Sequence, residues 1–190
     1  LMLLSSAFMF SYRVVGSQFI FVVETNKKCQ SDWIYIKDTI EQFYSYNRTQ
    51  VKLNKVYMDG KGNYKKKQKE IQKQISQYGA ASKSNHSKVI YCFDCDNYDS
   101  DSEARNFLED AQKYCAENGH EFVWFCKDIE QVYLGKQVED AHKKAEAAAF
   151  KNKKLIMNIR VNQLSGNSYR VGTSNLMCVL DQFEEFARKE

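Results

Sequence analysis

The chain has 190 residues and a formal net charge of +4 at neutral pH. This length predicts one domain that is long enough to bury a good core. The chain is therefore not so basic that it requires a polyanionic partner. A partner such as nucleic acid is nevertheless compatible with this charge.

Six cysteines are scattered along the chain, and no two CxxC pairs follow one another as a zinc site requires. Cys92 and Cys95 have the CxxC spacing, but no second pair supplies the other ligands. We therefore expect reduced cysteines and a cytoplasmic protein. The apolar opening, residues 1–10, lacks a basic start and is too short to cross a bilayer, so we expect no membrane partner.

The first part of the chain predicts a strand and then a helix. Residues 1–18 are interpreted as an N-terminal lead-in or an edge strand. Residues 19–23 are apolar on both faces, as a central parallel strand is, and Glu24 follows them directly. The helix that comes next is expected to be capped by Ser31 and Asp32.

A second strand, residues 51–58, leads through a glycine-containing turn to a very basic helix predicted at residues 64–78 and ended by Gly79. The turn lacks the GK[ST] ending of a P-loop, so it is either an ordinary turn or a loop that approaches a phosphate. The basic helix presents either a solvated face or a surface for a phosphate backbone. Under the second interpretation the nucleic-acid-binding residues are Lys27, Lys61, Lys65, Lys66 and Lys69.

Acidic residues follow the next predicted strand, residues 89–93, which reads as a buried apolar run. If this strand continues through Asp96, the carboxylates of Asp94 and Asp96 point to one side of the pleat. Two such oxygen ligands are a seat for Mg²⁺ or Mn²⁺. The alternative is an ordinary turn and helix cap. No register of these acids gives both the glycine and the glutamate of an EF-hand loop, which excludes that site.

The remaining pattern continues the alternation of strands and helices. Residues 120–126 predict another buried strand, and residues 127–134 predict a short helix that contains Glu130. Strands that alternate with helices in this way indicate an α/β fold with a Rossmann-like, mainly parallel sheet flanked by helices. The core is predicted at residues 19–134, and residues 135–190 are predicted to be a C-terminal helical extension of the same domain.

If the strands before Glu24 and Asp94 are parallel neighbours, three carboxylates, with Asp96 as the third, meet at one edge of the sheet. Acids crowded in this way repel one another, and a divalent cation resolves the conflict. A metal ion held by acids is suited to chemistry on phosphates.

Three segments resemble the Toprim domain of primases, topoisomerases and small nucleases, and in more detail the RloB-like Toprim proteins of bacterial defence and abortive-infection loci. The segments are residues 22–24 with 31–36, residues 91–96, and residues 127–133. The resemblance covers roughly residues 19–134. At one position the chain departs from the family, since Thr25 stands where a glycine usually follows the first glutamate.

The resemblance implies a Toprim-like fold and hydrolysis of phosphodiester bonds in DNA or RNA that depends on Mg²⁺ or Mn²⁺. It implies that Glu24 is the general acid or base and also a metal ligand, and that Asp94 and Asp96 hold the metal. Glu130 is implied as a second-metal ligand or an orienting group. A role in phage defence is implied by the resemblance alone.

Two other functions are compatible with the same residues. One is a non-catalytic Toprim-like or flavodoxin-like module that binds nucleic acid or a protein partner and uses the acids structurally. The other is a phosphohydrolase of another α/β family with Asp94 as its nucleophile. The sequence also leaves open whether the chain forms a homo-oligomer.

Overall fold

Strands and helices alternate along most of the chain, as the hydrophobic pattern predicts. The computed structural model describes residues 16–190, so most of the predicted lead-in or edge strand lies outside the described residues. The strands are β1 (Ser17–Val23), β2 (Tyr44–Ser45), β3 (Val51–Tyr57), β4 (His86–Asp94), β5 (Glu121–Cys126), β6 (Thr173–Ser174) and β7 (Ala187–Arg188). The helices are α1 (Ser31–Phe43), α2 (Gln68–Ala81), α3 (Ser102–Glu117), α4 (Ile129–Leu134), α5 (Asp140–Asn152), α6 (Val161–Leu164) and α7 (Leu176–Leu180), with 3-10 turns at Lys61–Lys67 and Leu155–Asn158.

Five strands form one sheet in the order β3-β1-β4-β5-β6. The first four are parallel to one another, and β6 joins the edge antiparallel to β5. Helices cover both faces of the sheet. Alternate residues of the strands pack in two separate apolar clusters, and each cluster also contains helix residues. The prediction of an α/β fold with a mainly parallel, helix-flanked sheet is confirmed, and the architecture is compatible with a Rossmann-like fold.

Strand β1 lies inside the sheet between β3 and β4, and all seven of its residues are buried. Phe19, Phe21 and Val23 pack in the cluster that contains α1, while Ile20 and Val22 pack in the cluster that contains α2 and α3. A strand buried on both faces has no polar side to alternate with, which explains its continuous apolar sequence.

The strand order reverses next to β1. The chain proceeds from β1 to β3 on one side and then crosses to β4 on the other side, so β1 and β4 flank the topological switch point. Val22 lies opposite Tyr91, and the two strands therefore end almost level. In open α/β sheets the crevice at the carboxyl ends of such a strand pair is where ligands bind.

The C-terminal part, predicted as a helical extension, also contributes strands. Strand β6 extends the main sheet, and β7 pairs with β2. The last helix of the predicted extension, α7, ends at Leu180, and the chain continues in turns. Phe183 and Phe186 are buried nevertheless, with ring centroids 5.0 and 4.7 Å from that of Phe19.

The basic segment differs from its prediction at both ends. It starts as the 3-10 turn Lys61–Lys67 and continues as α2 beyond Gly79 to Ala81. Gly79 does not end the helix, because its φ is not in the left-handed region that a helix-ending glycine adopts. In the last turn, the Asn85 side chain donates a hydrogen bond of 3.0 Å to the Tyr78 carbonyl. Among residues 16–190, none of the helices combines the length and the apolar character needed to cross a membrane.

Phe186→Ala should lower the free energy of unfolding by about 3 kcal/mol, because it opens a cavity next to Phe19 of β1. Urea denaturation followed by circular dichroism should still show one transition, since the C-terminal aromatic residues pack in the main core. The control Met157→Ala changes a side chain on a residue that is 66% exposed and should have an effect within about 0.5 kcal/mol. An additional early transition in Phe186→Ala would instead show that the C-terminal part unfolds by itself.

Candidate functional site

The structure brings Glu24 and Asp94 together at the carboxyl ends of β1 and β4. The backbone N–H of Asp94 donates a hydrogen bond of 2.8 Å to Oε1 of Glu24. The backbone N–H of Ile129, the first residue of α4, donates one of 3.0 Å to Oδ1 of Asp94. Each carboxylate is thus fixed through one oxygen and keeps the other outside these hydrogen bonds. Two of the three acids that the sequence analysis expects at this edge, Glu24 and Asp94, are therefore neighbours.

Asp32 is a third carboxylate at this edge, and the sequence analysis missed its role. The expectation that Ser31 and Asp32 cap α1 from outside is wrong, because they are its first two residues and the cap position is Gln30. Oδ2 of Asp32 accepts the backbone N–H of Thr25 at 3.0 Å, so the side chain holds the loop that follows Glu24. The signal in the sequence was an acid in the first turn of the helix after a strand-end glutamate.

Asp96 is close to the site but does not line its cavity. Strand β4 ends at Asp94, so the premise that the strand runs on through Asp96 is wrong. Asp96 has a left-handed φ of 49°, and its N–H donates to the Lys127 carbonyl at 2.7 Å. Its carboxylate forms an ion pair with Lys61. The alternation of a pleated strand therefore does not apply to this pair of aspartates.

Glu130 is buried behind the site rather than exposed at its edge. It lies in the first turn of α4 with a fully buried side chain, and neither carboxylate oxygen has a hydrogen-bond partner within residues 16–190. The ammonium of Lys143, on α5, lies 3.6 Å from its Oε2 and 3.4 Å from Oδ1 of Asp140. Lys143 is therefore a second site residue that the sequence analysis missed.

A cavity of about 420 Å³ opens in front of these acids. Glu24, Asp32 and Asp94 line it, together with Asp59 from the loop after β3 and Lys143 from α5. That loop is held against β1 by the N–H of Gly60, which donates to the Glu24 carbonyl at 3.0 Å. The switch point of the sheet thus contains a polar cavity whose walls come from both halves of the chain.

Burial and mutual repulsion favour the protonated forms of these acids. Burial raises the pKa of Glu24 to about 8, and the carboxylate of Asp32 adds to the shift. Burial, with Glu24 and Asp32 as neighbours, raises the pKa of Asp94 well above its usual range. Burial raises the pKa of Glu130 to about 7 even though Lys143 opposes the shift. Negative charge at this edge is therefore costly unless a cation accompanies it.

The carboxylate oxygens at this edge suit a hard divalent cation, although they are not yet grouped closely enough to bind one. Mg²⁺ is usually held by one or two carboxylates together with waters and substrate phosphates, and Glu24 and Asp94 each retain an oxygen for that purpose. Within residues 16–190, however, no three His, Cys, Asp or Glu side chains form a group able to hold a metal ion. Asp96 would have to leave Lys61 before it joined the other two acids.

The lysines assigned to nucleic-acid binding fall into two groups. Lys61 is half-buried beside the acids through its pair with Asp96. The other four are exposed, one in the loop after β1 and the rest around the start of α2; they are Lys27, Lys65, Lys66 and Lys69. The ammonium of Lys65 stacks on aromatic rings, 5.4 Å from the centroid of Tyr64 and 5.9 Å from that of Tyr114.

No family model, curated protein or solved structure matches this chain.

Glu24→Gln should stabilise the protein at high pH. The pKa of Glu24 is raised from 4.5 to about 8 on folding, so the folded state holds a proton that the unfolded state releases, and stability is lost as pH rises between these values. The variant has no such proton, and its melting temperature should exceed that of the wild type by about 3 °C at pH 8.5, with little difference at pH 5. The control Glu109→Gln, on the exposed face of α3, should differ little from the wild type in melting temperature at either pH. Destabilisation by Glu24→Gln at pH 8.5 would contradict this account.

Lys143→Met should destabilise the fold more at pH 8 than at pH 5.5. The pKa of Glu130 is about 7, so its buried carboxylate is ionised at the higher pH and then depends on the Lys143 ammonium. We expect a loss of about 2 kcal/mol at pH 8 in chemical denaturation. Adding Glu130→Gln should restore most of it, whereas Lys144→Met, an exposed change on the same helix, should have little effect. A loss independent of pH, or one that Glu130→Gln leaves unchanged, would refute the pairing.

Proposed function

We propose that this protein is a small Toprim-type nuclease that hydrolyses phosphodiester bonds of DNA or RNA with Mg²⁺ or Mn²⁺. The single observation that carries the proposal is the Glu24–Asp94 pair, fixed by backbone hydrogen bonds at the switch point of a parallel sheet. The order of acids after the strands, which resembles the Toprim pattern, supports it further. A setting in phage defence or abortive infection rests on that resemblance alone.

In this proposal Asp94 would hold the metal through its remaining oxygen, and Asp96 would join it once it is released from Lys61, while the remaining oxygen of Glu24 stays protonated. When bound, a divalent ion lowers the pKa of a water and neutralises charge that develops on the phosphate. Such an ion would also relieve the repulsion among the acids. The raised pKa values of Glu24 and Asp94 are the reason that a cation is favoured at this position.

Hydrolysis requires one proton to leave the attacking water and one to reach the leaving oxygen. Solvent would accept the first proton once a bound ion has lowered the pKa of the water. The water oxygen bonds to phosphorus as the bond from phosphorus to the leaving sugar oxygen breaks. Glu24, with a pKa of about 8, carries a proton near neutral pH and is suited to donate it to the leaving oxygen. Glu130 has no access to the cavity and acts by positioning Lys143 beside the acids.

The lysine side chains provide the proposed contact with nucleic acid. Lys61 lies at the acids, and the exposed set Lys27, Lys65, Lys66 and Lys69 extends the positive charge beyond them. Lysines that neutralise phosphates make binding fall steeply with salt and supply affinity without base specificity. This fits a substrate that is recognised through its backbone.

The second candidate is a non-catalytic Toprim-like or flavodoxin-like module that binds nucleic acid or a protein partner. One observation favours it, namely that Asp96 is paired with Lys61 rather than grouped with the other two acids. In this alternative the acids would serve to hold the loops after β1 and β4 in place.

The deciding experiment is cleavage of single- and double-stranded DNA and RNA with Mg²⁺ or Mn²⁺. Glu24→Gln and Asp94→Asn should each reduce the rate by about 10³-fold, because they remove a proton donor or a ligand. The matched control is Asp101→Asn, which changes an exposed aspartate that caps α3 and keeps a residue suited to that cap, so its rate should be unchanged. Wild-type protein that binds nucleic acid but cleaves none of these substrates, with variants of equal affinity, would decide for the binding module.

A further inference from the structure

The segment around the end of α5 carries positive charge without any acidic residue. Residues 147–180 contain five lysines and arginines and no aspartate or glutamate. Four of these five cations lie within residues 151–160, at the end of α5 and in the turns that follow, and all four are exposed. We call these four the basic turn; they are Lys151, Lys153, Lys154 and Arg160.

The charges of the basic turn are not neutralised by the rest of the fold. Among residues 16–190, none of its four side chains forms an ion pair. Burial raises the pKa of Asp38, on α1, and Lys151 and Lys37 both oppose that rise, so this acid is shared between two cations. Glu146, on α5, is already paired with Lys136. The basic turn therefore keeps a net positive charge that is available to a partner.

The dipole of α5 explains only a part of this charge. Lys151 lies in the last turn of the helix, where a cation is favourable. The effect falls off within that turn, and Lys154 and Arg160 lie beyond it. Lys154 moreover has a left-handed φ of 52°, a conformation in which glycine or asparagine is the usual residue. The backbone at this position therefore does not select a lysine.

The basic turn has too little exposed apolar surface for a membrane. Met157 is 66% exposed and Val161 is 38% exposed, but Leu155, Ile156 and Ile159 pack against the core. A segment that lies on a membrane buries a continuous apolar face, and these two separate side chains do not form one. Cations that are spread along a segment suit a polyanion, whose charges also repeat along its length.

Helix α5 connects the basic turn with the acidic cavity. Lys143 lies beside the acids, and the next residue, Lys144, is exposed. Lys144 and Lys151 are seven residues apart, so they lie on one face of α5, about 10 Å apart along its axis. Duplex DNA has one phosphate per roughly 3.4 Å of axis on each strand, so the two lysines are spaced to contact a run of phosphates.

The basic turn and the lysines around α2 lie on opposite faces of the sheet. Ala147 and Phe150 of α5 pack in the cluster that contains α1, whereas Ile71 of α2 packs in the other cluster. Glu24 and Asp94 lie at the edge of the sheet between these two faces. A polyanion that passes over this edge can therefore contact both basic surfaces.

We propose that Lys144 and the basic turn bind the phosphate backbone of a nucleic acid on the α5 side of the acids. The inference rests on the proposed function in taking a nucleic acid as the partner. It adds a second contact surface to the lysines around α2, so that the substrate is held on both sides of the acids. Lysine and arginine contacts with phosphates fix the position of a nucleic acid without reading its sequence.

The test is the salt dependence of nucleic-acid binding, measured in EDTA so that no metal-dependent cleavage occurs. Each phosphate contact contributes about 0.7 for a single strand, or about 0.9 for a duplex, to the slope of log K against log salt concentration. Lys151→Gln/Lys154→Asn should reduce this slope by roughly 1.5 and weaken binding at low salt by about tenfold. Asparagine is chosen at position 154 because it accepts the left-handed backbone.

The matched control is Lys52→Gln/Lys113→Gln, which removes two exposed lysines from β3 and α3 and should keep the wild-type slope. Circular dichroism establishes that both double variants are folded. An equal change of slope in the two variants, or no change in either, would overturn the inference. A basic turn that serves a membrane would instead show as binding to vesicles of anionic lipid that Lys151→Gln/Lys154→Asn abolishes while the nucleic-acid slope is kept.

The outcome is separate from that of the proposed function. A slope that falls only in Lys151→Gln/Lys154→Asn, in a protein that cleaves no nucleic acid with Mg²⁺ or Mn²⁺, would keep the second contact surface and refute the nuclease. Metal-dependent cleavage together with an unchanged slope in this variant would keep the nuclease and refute the second contact surface.

Discussion

The site depends on one hydrogen bond between neighbouring strands, from the Asp94 backbone N–H to the Glu24 side chain. It forms because β1 and β4 are parallel and end almost level, and it fixes Glu24 next to the carboxylate of Asp94. The repulsion between the acids is offset by hydrogen bonds from the backbone N–H groups of Ile129 to Asp94 and of Thr25 to Asp32. The ammonium group of Lys143 lies nearby and offsets it further. Functional sites often depart from the arrangement that is best for stability, and this edge of the sheet does so.

The C-terminal part of the chain completes both the core and the site. Helix α5 packs on α1, where the ring of Phe150 lies 5.0 Å from that of Tyr35, and this contact sets Lys143 in front of the acids. Beyond it, Phe183 and Phe186 pack on Phe19 of the central strand. The packing that stabilises the sheet and the charge that balances the site are therefore built by the same segment.

The sequence was sufficient for the features that depend on local pattern. The unbroken apolar run of β1 identified a central strand, and the strand ends identified Glu24 and Asp94. Asp96 was misplaced because spacing by two implies one face only while the strand continues, and a left-handed turn ended it. Asp32 and Lys143 were missed because their roles come from tertiary contacts. The hydrophobic pattern predicts where helices form, but it does not predict which helix packs next to which strand end.

Among residues 16–190, β3 is the outermost strand on one side of the main sheet, and its composition bears on how two copies of the chain can associate. Lys52 and Lys55 are exposed on it, with ammonium groups 5.7 Å from the ring centroid of Tyr78 and 5.5 Å from that of Trp33. A second chain that continued the sheet along β3 would have to strip water from both cations. Charged edge strands of this kind oppose aggregation through strand pairing, so the two lysines disfavour this mode of association.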